Sequence, residues 1–171
     1  MPRVFVMTLM LLINFVLQST LFQYISILSV KPNTALILIV SYSILRGDVE
    51  GAIVGFLAGL LQDLFFGSYT GLNAMLYLLI GYFCGKPFKD FYRENSLLPL
   101  GLVAASFLFY QFGVYFGNFL FRGKIDFTFY LGAIIIPGGV YTLILSIPFY
   151  SFLYAVNTRL EQYEKTRRKL F

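Results

Sequence analysis

The sequence predicts an all-α integral membrane protein, a bundle of six transmembrane helices. Hydrophobic residues fill 58% of the 171 positions and charged residues only 12%, with a mean hydropathy of +0.77. Soluble domains run at about 45–50% apolar and about 25% charged. The few charges gather in short breaks between apolar stretches. At about 20 residues per crossing, the length allows five or six spans and little else. The distribution of Lys and Arg then separates five from six.

Span one is expected over about 4–21. The opening MPRVFVMTLMLLINFVLQST resembles a signal peptide, but no small-x-small cleavage site follows, so it reads as a retained helix. Lys31-Pro32-Asn33 turns the chain, because Pro32 disfavours helix at Lys31. The piece 22–30 reads as interfacial. Span two, 34–45, is short, and Arg46-Gly47-Asp48 closes it; it must tilt little or let Arg46 snorkel. Span three, 49–66, carries the densest pattern. Gly67-Ser-Tyr-Thr-Gly71 is a tight turn, and span four follows over 72–85. Residues 86–95, KPFKDFYREN, form the most charged internal loop. Span five covers 96–121.

The last apolar stretch, 127–156, is too long for one straight crossing. Pro137-Gly138-Gly139 divides it, so the sequence allows a kinked helix or a half-helix over 128–136 before a full span. Residues 127–138 therefore either span or lie in the interface, and Pro148 can add a second bend. Residues 1–157 are expected to form one transmembrane domain and 158–171 a basic cytoplasmic tail.

Six spans with both termini in the cytoplasm place Arg3, Arg46, Lys86, Lys89, Arg93, Arg159, Lys165, Arg167, Arg168 and Lys169 inside, and Lys31, Arg122 and Lys124 outside. That is ten against three, a strong positive-inside bias. Five spans cannot keep both the 86–93 cluster and the tail inside. The expected location is a membrane crossed six times, with both termini on its cytoplasmic side. The net charge of +5 is then topological and no sign of nucleic-acid binding. Arg167, Arg168 and Lys169 suit anionic lipid.

On span three, Gly51, Gly55 and Gly59 fall four apart, and Asp63 takes the next step. A step of four advances about 400° on an α-helix, so the four share one face. Such a face favours close helix packing within the bundle, or docking of a partner's helix. Asp63 is the one ionisable residue well inside a span, which by default suggests an ion or ligand site. The plainer role is a polar cap accepting hydrogen bonds from the Gly67–Gly71 turn or from Asn73. Asn73, Asn14, Gln18, Asn118 and Gln111 read as interhelical glue. Tyrosines and phenylalanines number 13 and 20 and read as interface anchors; no polar cluster beside them in sequence marks a sugar- or base-stacking site.

The chain has no histidine and a single cysteine, Cys84. It therefore lacks the usual general base, an intrachain disulfide and the commonest metal ligand. No paired intramembrane carboxylates and no phosphate-binding glycine loop are present. The sequence predicts no enzyme, no cofactor and no metal.

The run Gly51-x-x-x-Gly55-Phe56-x-x-Gly59-Leu60-Leu61-Gln62-Asp63-Leu64, then Gly67, Gly71-Leu72-Asn73-Ala74, Gly81-Tyr82 and Gly85, resembles the core signature of the bacterial rod shape-determining protein family MreD. Lys31-Pro32-Asn33 matches a turn where many members carry Pro-Asp; Asn33 departs from that pattern and weakens any claim that a carboxylate is needed there. The specific match covers residues 31–85. The resemblance implies a non-enzymatic membrane scaffold of the cell-elongation machinery. Its implied partners are the single-pass protein MreC, the synthase formed by RodA and a class B penicillin-binding protein, and, indirectly, MreB. It also implies an architecture similar to the six-helix substrate-binding subunits of energy-coupling-factor transporters. A competing expectation is thus a substrate-binding subunit of a small-molecule transporter, which would require a deep polar cavity.

Overall fold

The computed structural model describes residues 2–24, 32–66, 71–86, 97–122 and 127–169, and all the elements in these residues are helical. Five helices come first: α1 (Pro2–Tyr24), α2 (Thr34–Arg46), α3 (Asp48–Phe66), α4 (Leu72–Gly85) and α5 (Leu97–Arg122). Three contiguous segments then make a sixth helical stretch: α6 (Phe127–Tyr130), a π-helical turn (Leu131–Ile135) and α7 (Ile136–Lys169). Six helical rods thus form, the number the sequence predicts. Three stretches, Asp48–Phe66, Pro99–Gly117 and Thr128–Arg159, are long and apolar enough to cross a membrane; Leu9–Thr20, Thr34–Arg46 and Leu72–Gly85 are shorter apolar helices.

The last stretch is neither split nor capped at Pro137-Gly138-Gly139. A proline inside a helix lacks an N–H and crowds the carbonyl four residues earlier. The π turn ends two residues before Pro137, with the Ile136 N–H donating to Leu131 O. Local widening of this kind lets a helix carry such a residue without breaking. Helix α7 continues through Pro148 and on to Lys169, so the basic segment prolongs the last span.

The centre of the bundle is α2. Ten of its 13 residues are buried, and it touches α1, α3, α4, α5 and α7. Leu36, Ile37, Ile39 and Val40 are wholly enclosed. A 13-residue helix is only about 20 Å long, short against a hydrocarbon core of about 30 Å. The sequence reading treated this as a mismatch with lipid. The structure removes the difficulty: α2 packs against α1, α3, α4, α5 and α7, so it need not meet lipid along its length.

The most extensive helix contact is α3 against α4. Two stripes oppose each other there, antiparallel, each stepping by four: Gly51, Gly55, Gly59 and Asp63 on α3, and Gly85, Gly81, Tyr77 and Asn73 on α4. A Cβ added at Gly55 would overlap the Tyr77 carbonyl, at Gly59 the Ala74 backbone, at Gly81 the Gly51 carbonyl, and at Gly85 the Asp48 backbone. A Cβ on Gly51 would overlap Ser43 of α2. Along α5, Gly113 and Gly117 receive the Leu76 and Leu72 side chains of α4. The helices are therefore locked at backbone distance, the geometry small residues permit in membranes. Two other glycines are needed for conformation. Gly47 (φ 106°) links α2 to α3 and Gly71 (φ 102°) opens α4, both in the left-handed region that side chains disfavour.

Candidate functional site

A polar centre lies where α2 begins, α3 ends and α4 starts. Asp63 is 3% exposed. Its Oδ2 accepts from the Gly71 N–H at 2.9 Å and the Ala74 N–H at 3.0 Å, and its Oδ1 from the Asn73 N–H at 3.3 Å. Those amides belong to the first turn of α4, and the residue in the capping position, Gly71, has no side chain to satisfy them. Asp63 therefore caps α4 from the neighbouring helix, with its carboxylate at the positive end of the helix dipole.

From Asp63 the hydrogen bonds run inward. Tyr110 of α5 donates to Asn73 Oδ1 at 2.8 Å. The Tyr110 ring stacks on Tyr77, centroids 4.9 Å apart and planes 20° from parallel. Tyr77, wholly buried, donates to Asn33 Oδ1 at 2.9 Å. That same oxygen accepts the Leu36 N–H at 3.0 Å, making Asn33 the N-cap of α2. The Asn33 N–H donates to Thr142 Oγ1 of α7 at 3.2 Å, and Thr142 donates to Gly138 O. Beside this chain, Tyr130 donates to Gln111 Oε1 at 3.3 Å. Loss of the Tyr77 hydroxyl in Tyr77→Phe is expected to lower stability by about 0.5–1.5 kcal/mol, since Asn33 keeps its capping bond and the stack remains; a denaturant unfolding curve in detergent measures it.

The network borders a cavity of about 230 Å³ lined by Gln18, Pro32, Asn33, Gln62, Phe66, Phe107, Tyr110 and Gln111. Gln62 Oε1 is buried with no hydrogen-bond partner among the described residues. A smaller adjoining pocket shares Gln18, Gln62 and Phe66 and adds Asn14, whose Nδ2 is also buried without a partner there. Asn14 Oδ1 accepts from Thr34 Oγ1 at 3.5 Å. Among the described residues, no group of three or more His, Cys, Asp or Glu could hold a metal ion.

The structure thus brings Asp63, Asn73 and Gly71 together and lines Gly51, Gly55 and Gly59 up along the same seam. That face is covered by α4 and α2, so no partner helix can lie on it while the hairpin is closed. Lys86 stands at the opposite bundle end, exposed, its Nζ 3.3 Å from Tyr82 Oη and 5.2 Å from that ring's centroid. Gly67, Lys89 and Arg93 lie outside the described residues. Arg167, Arg168 and Lys169 fall on the end of α7, their side chains outside the description. Cys84 is buried, 3.2 Å from Ser106 Oγ.

The sequence reading missed Asn33, Gln62, Tyr77, Tyr110, Tyr130 and Thr142 as members of one site. Two signals were available. Asn after Pro32, just before an aliphatic run, is an N-cap signature. Asn73, Tyr77, Gly81 and Gly85 repeat at the step already visible on α3. The cavity also corrects the expectation that no polar cluster accompanies the aromatics: folding assembles one.

The family model described as rod shape-determining protein MreD matches residues 2–156 of the chain. No curated protein matches. No solved structure matches either, and the likeness to transporter substrate-binding subunits finds no support.

Proposed function

The chain belongs to the MreD family of rod shape-determining proteins, and from that membership we propose that it is a non-enzymatic scaffold that binds MreC and regulates peptidoglycan synthesis. The synthase of RodA and a class B penicillin-binding protein would be engaged through that complex, with MreB indirectly beneath it. The cytoplasmic membrane, with both termini inside, is the proposed location. The observation that carries this reading is the division of labour between the inside and the outside of the bundle. Asn33, Asp63, Asn73, Tyr77, Tyr110 and Thr142 are bonded to one another or to backbone across α2, α3, α4, α5 and α7, which holds the helices in one arrangement. The outer faces expose large apolar side chains, among them Ile53, Phe56, Phe116 and Ile144, suited to lipid and to a partner's single helix. A chain with no histidine and no paired acids in its spans fits a structural task better than catalysis.

The test is co-expression of this chain, tagged, with MreC from the same cell, followed by purification and by crosslinking from single cysteines introduced at those outer positions in a Cys84→Ser background. Co-purification with crosslinks confined to one helix face is expected. Failure of MreC to co-purify overturns the scaffold reading.

A further inference from the structure

The cavity has no part in a purely structural task, and its chemistry is specific. Its amides come from separate places: Gln18 from α1, Asn33 from the start of α2, Gln62 from α3 and Gln111 from α5. They reach it from four different parts of the chain. Each amide can donate and accept, and among the described residues no charged side chain lines the space. A charged ligand would lose hydration with no opposite charge to meet it. A planar heteroaromatic base presents its polar atoms along its edges and needs two flat walls. One candidate wall, Tyr110, already has a face stacked on Tyr77. A ring with hydroxyls around its perimeter meets amides on several sides and can set an apolar face on Phe66 or Phe107. The volume, about 230 Å³, suits a single ring. Gln62 Oε1 is buried without a partner among the described residues. A buried polar atom without a partner costs stability unless something fills its place.

We propose that this cavity binds a neutral sugar ring, either free or as the headgroup of a glycolipid, with Gln18 and Gln62 as hydrogen-bonding partners. Both amides are chosen for the test because they line the cavity from different helices, Gln62 with its Oε1 unpartnered among the described residues although its side chain also hydrogen-bonds Tyr77. The full chain in phosphatidylcholine nanodiscs is titrated with methyl β-D-glucopyranoside, with octyl β-D-glucopyranoside below its micelle concentration, and with octyl tetraoxyethylene ether, which has the chain and no sugar. Saturation-transfer NMR reads binding, and thermal unfolding reads the fold. The expected result is saturable binding of a sugar probe, weakened about tenfold or more in Gln62→Leu and in Gln18→Leu, while the unfolding midpoint of Gln18→Leu stays level. Binding of the octyl glucoside alone assigns the site to a glycolipid headgroup; equal binding of the methyl glucoside assigns it to a free sugar. The proposal is overturned if neither sugar probe saturates, if the ether binds as well as the octyl glucoside, or if both Leu variants bind like the parent.

Discussion

Gly55→Leu is expected to prevent the α3–α4 hairpin from closing and to abolish recovery of folded protein from detergent. The cause is local. A Cβ at position 55 would overlap the Tyr77 carbonyl and the peptide that follows it, and backbone cannot swing aside as a side-chain tip can. Overpacking a tight core typically costs about 1–3 kcal/mol and sometimes more. Here relief requires α4 to move bodily, which also disturbs Gly59 against Ala74 and Gly81 against Gly51. Gly55→Ala should therefore fall in that range, measured as a lower unfolding midpoint, and Gly55→Leu beyond it. Gly101→Ala is the control. Nothing lies within 4 Å of the added Cβ there, so the gain in helix propensity should leave stability level or raise it by up to about 1 kcal/mol. If Gly55→Leu unfolds like the parent while losing a partner, the seam is an intermolecular surface after all and the packing described above is wrong.

That prediction rests on the part of the fold most legible in the sequence. A step of four within an apolar run says helix, one face and close approach together, because these follow from helical geometry and the absence of a Cβ. The limits of α2, α3, α4 and α5 came through almost unchanged for the same reason, since Gly47, Gly71 and the loop breaks stop a helix locally, whereas α7 runs on through the charged segment to Lys169. What stayed hidden depends on distance in sequence. Gln18 and Gln111 look like isolated glue on their own helices, Asn33 like part of a turn and Gln62 like one residue of an apolar run, and only the packing around α2 brings the four to one space. The role of α2 itself was misjudged because the usual length rule assumes contact with lipid, and nothing in TALILIVSYSIL says that protein will enclose it. The π turn before Pro137 was equally unreadable, since a proline in an apolar run permits a break, a kink or a widened turn.

Asp63→Ala is expected to destabilise the protein by about 2–4 kcal/mol. Replacing an N-cap side chain typically costs about 1 kcal/mol and up to about 2, and hydrogen bonds to a charged group contribute about 1.5–3 kcal/mol. Asp63 combines the two. It accepts from the amides of Gly71, Asn73 and Ala74, and no water stands ready to replace it at a site 3% exposed. Asp63→Asn keeps one acceptor oxygen but turns an amide N–H toward a backbone donor, so it should lose a large part of the same stability. Asp63→Glu keeps the charge, yet its extra methylene has to find room against the first turn of α4, where the helices already meet at backbone distance. Unfolding curves measure the order Asp, then Asn, then Ala. Hydrogen exchange over residues 71–76 should quicken in step, because those amides lose their cap first. The comparison also separates the two meanings of a carboxylate in a membrane span. Were Asp63 an ion or substrate site, Asp63→Asn would remove function at unchanged stability and leave exchange in α4 untouched. As a cap it couples the two: α4 loosens, the Tyr110–Asn73 bond loses its anchor, and the wall of the cavity formed by Tyr110 loosens with it.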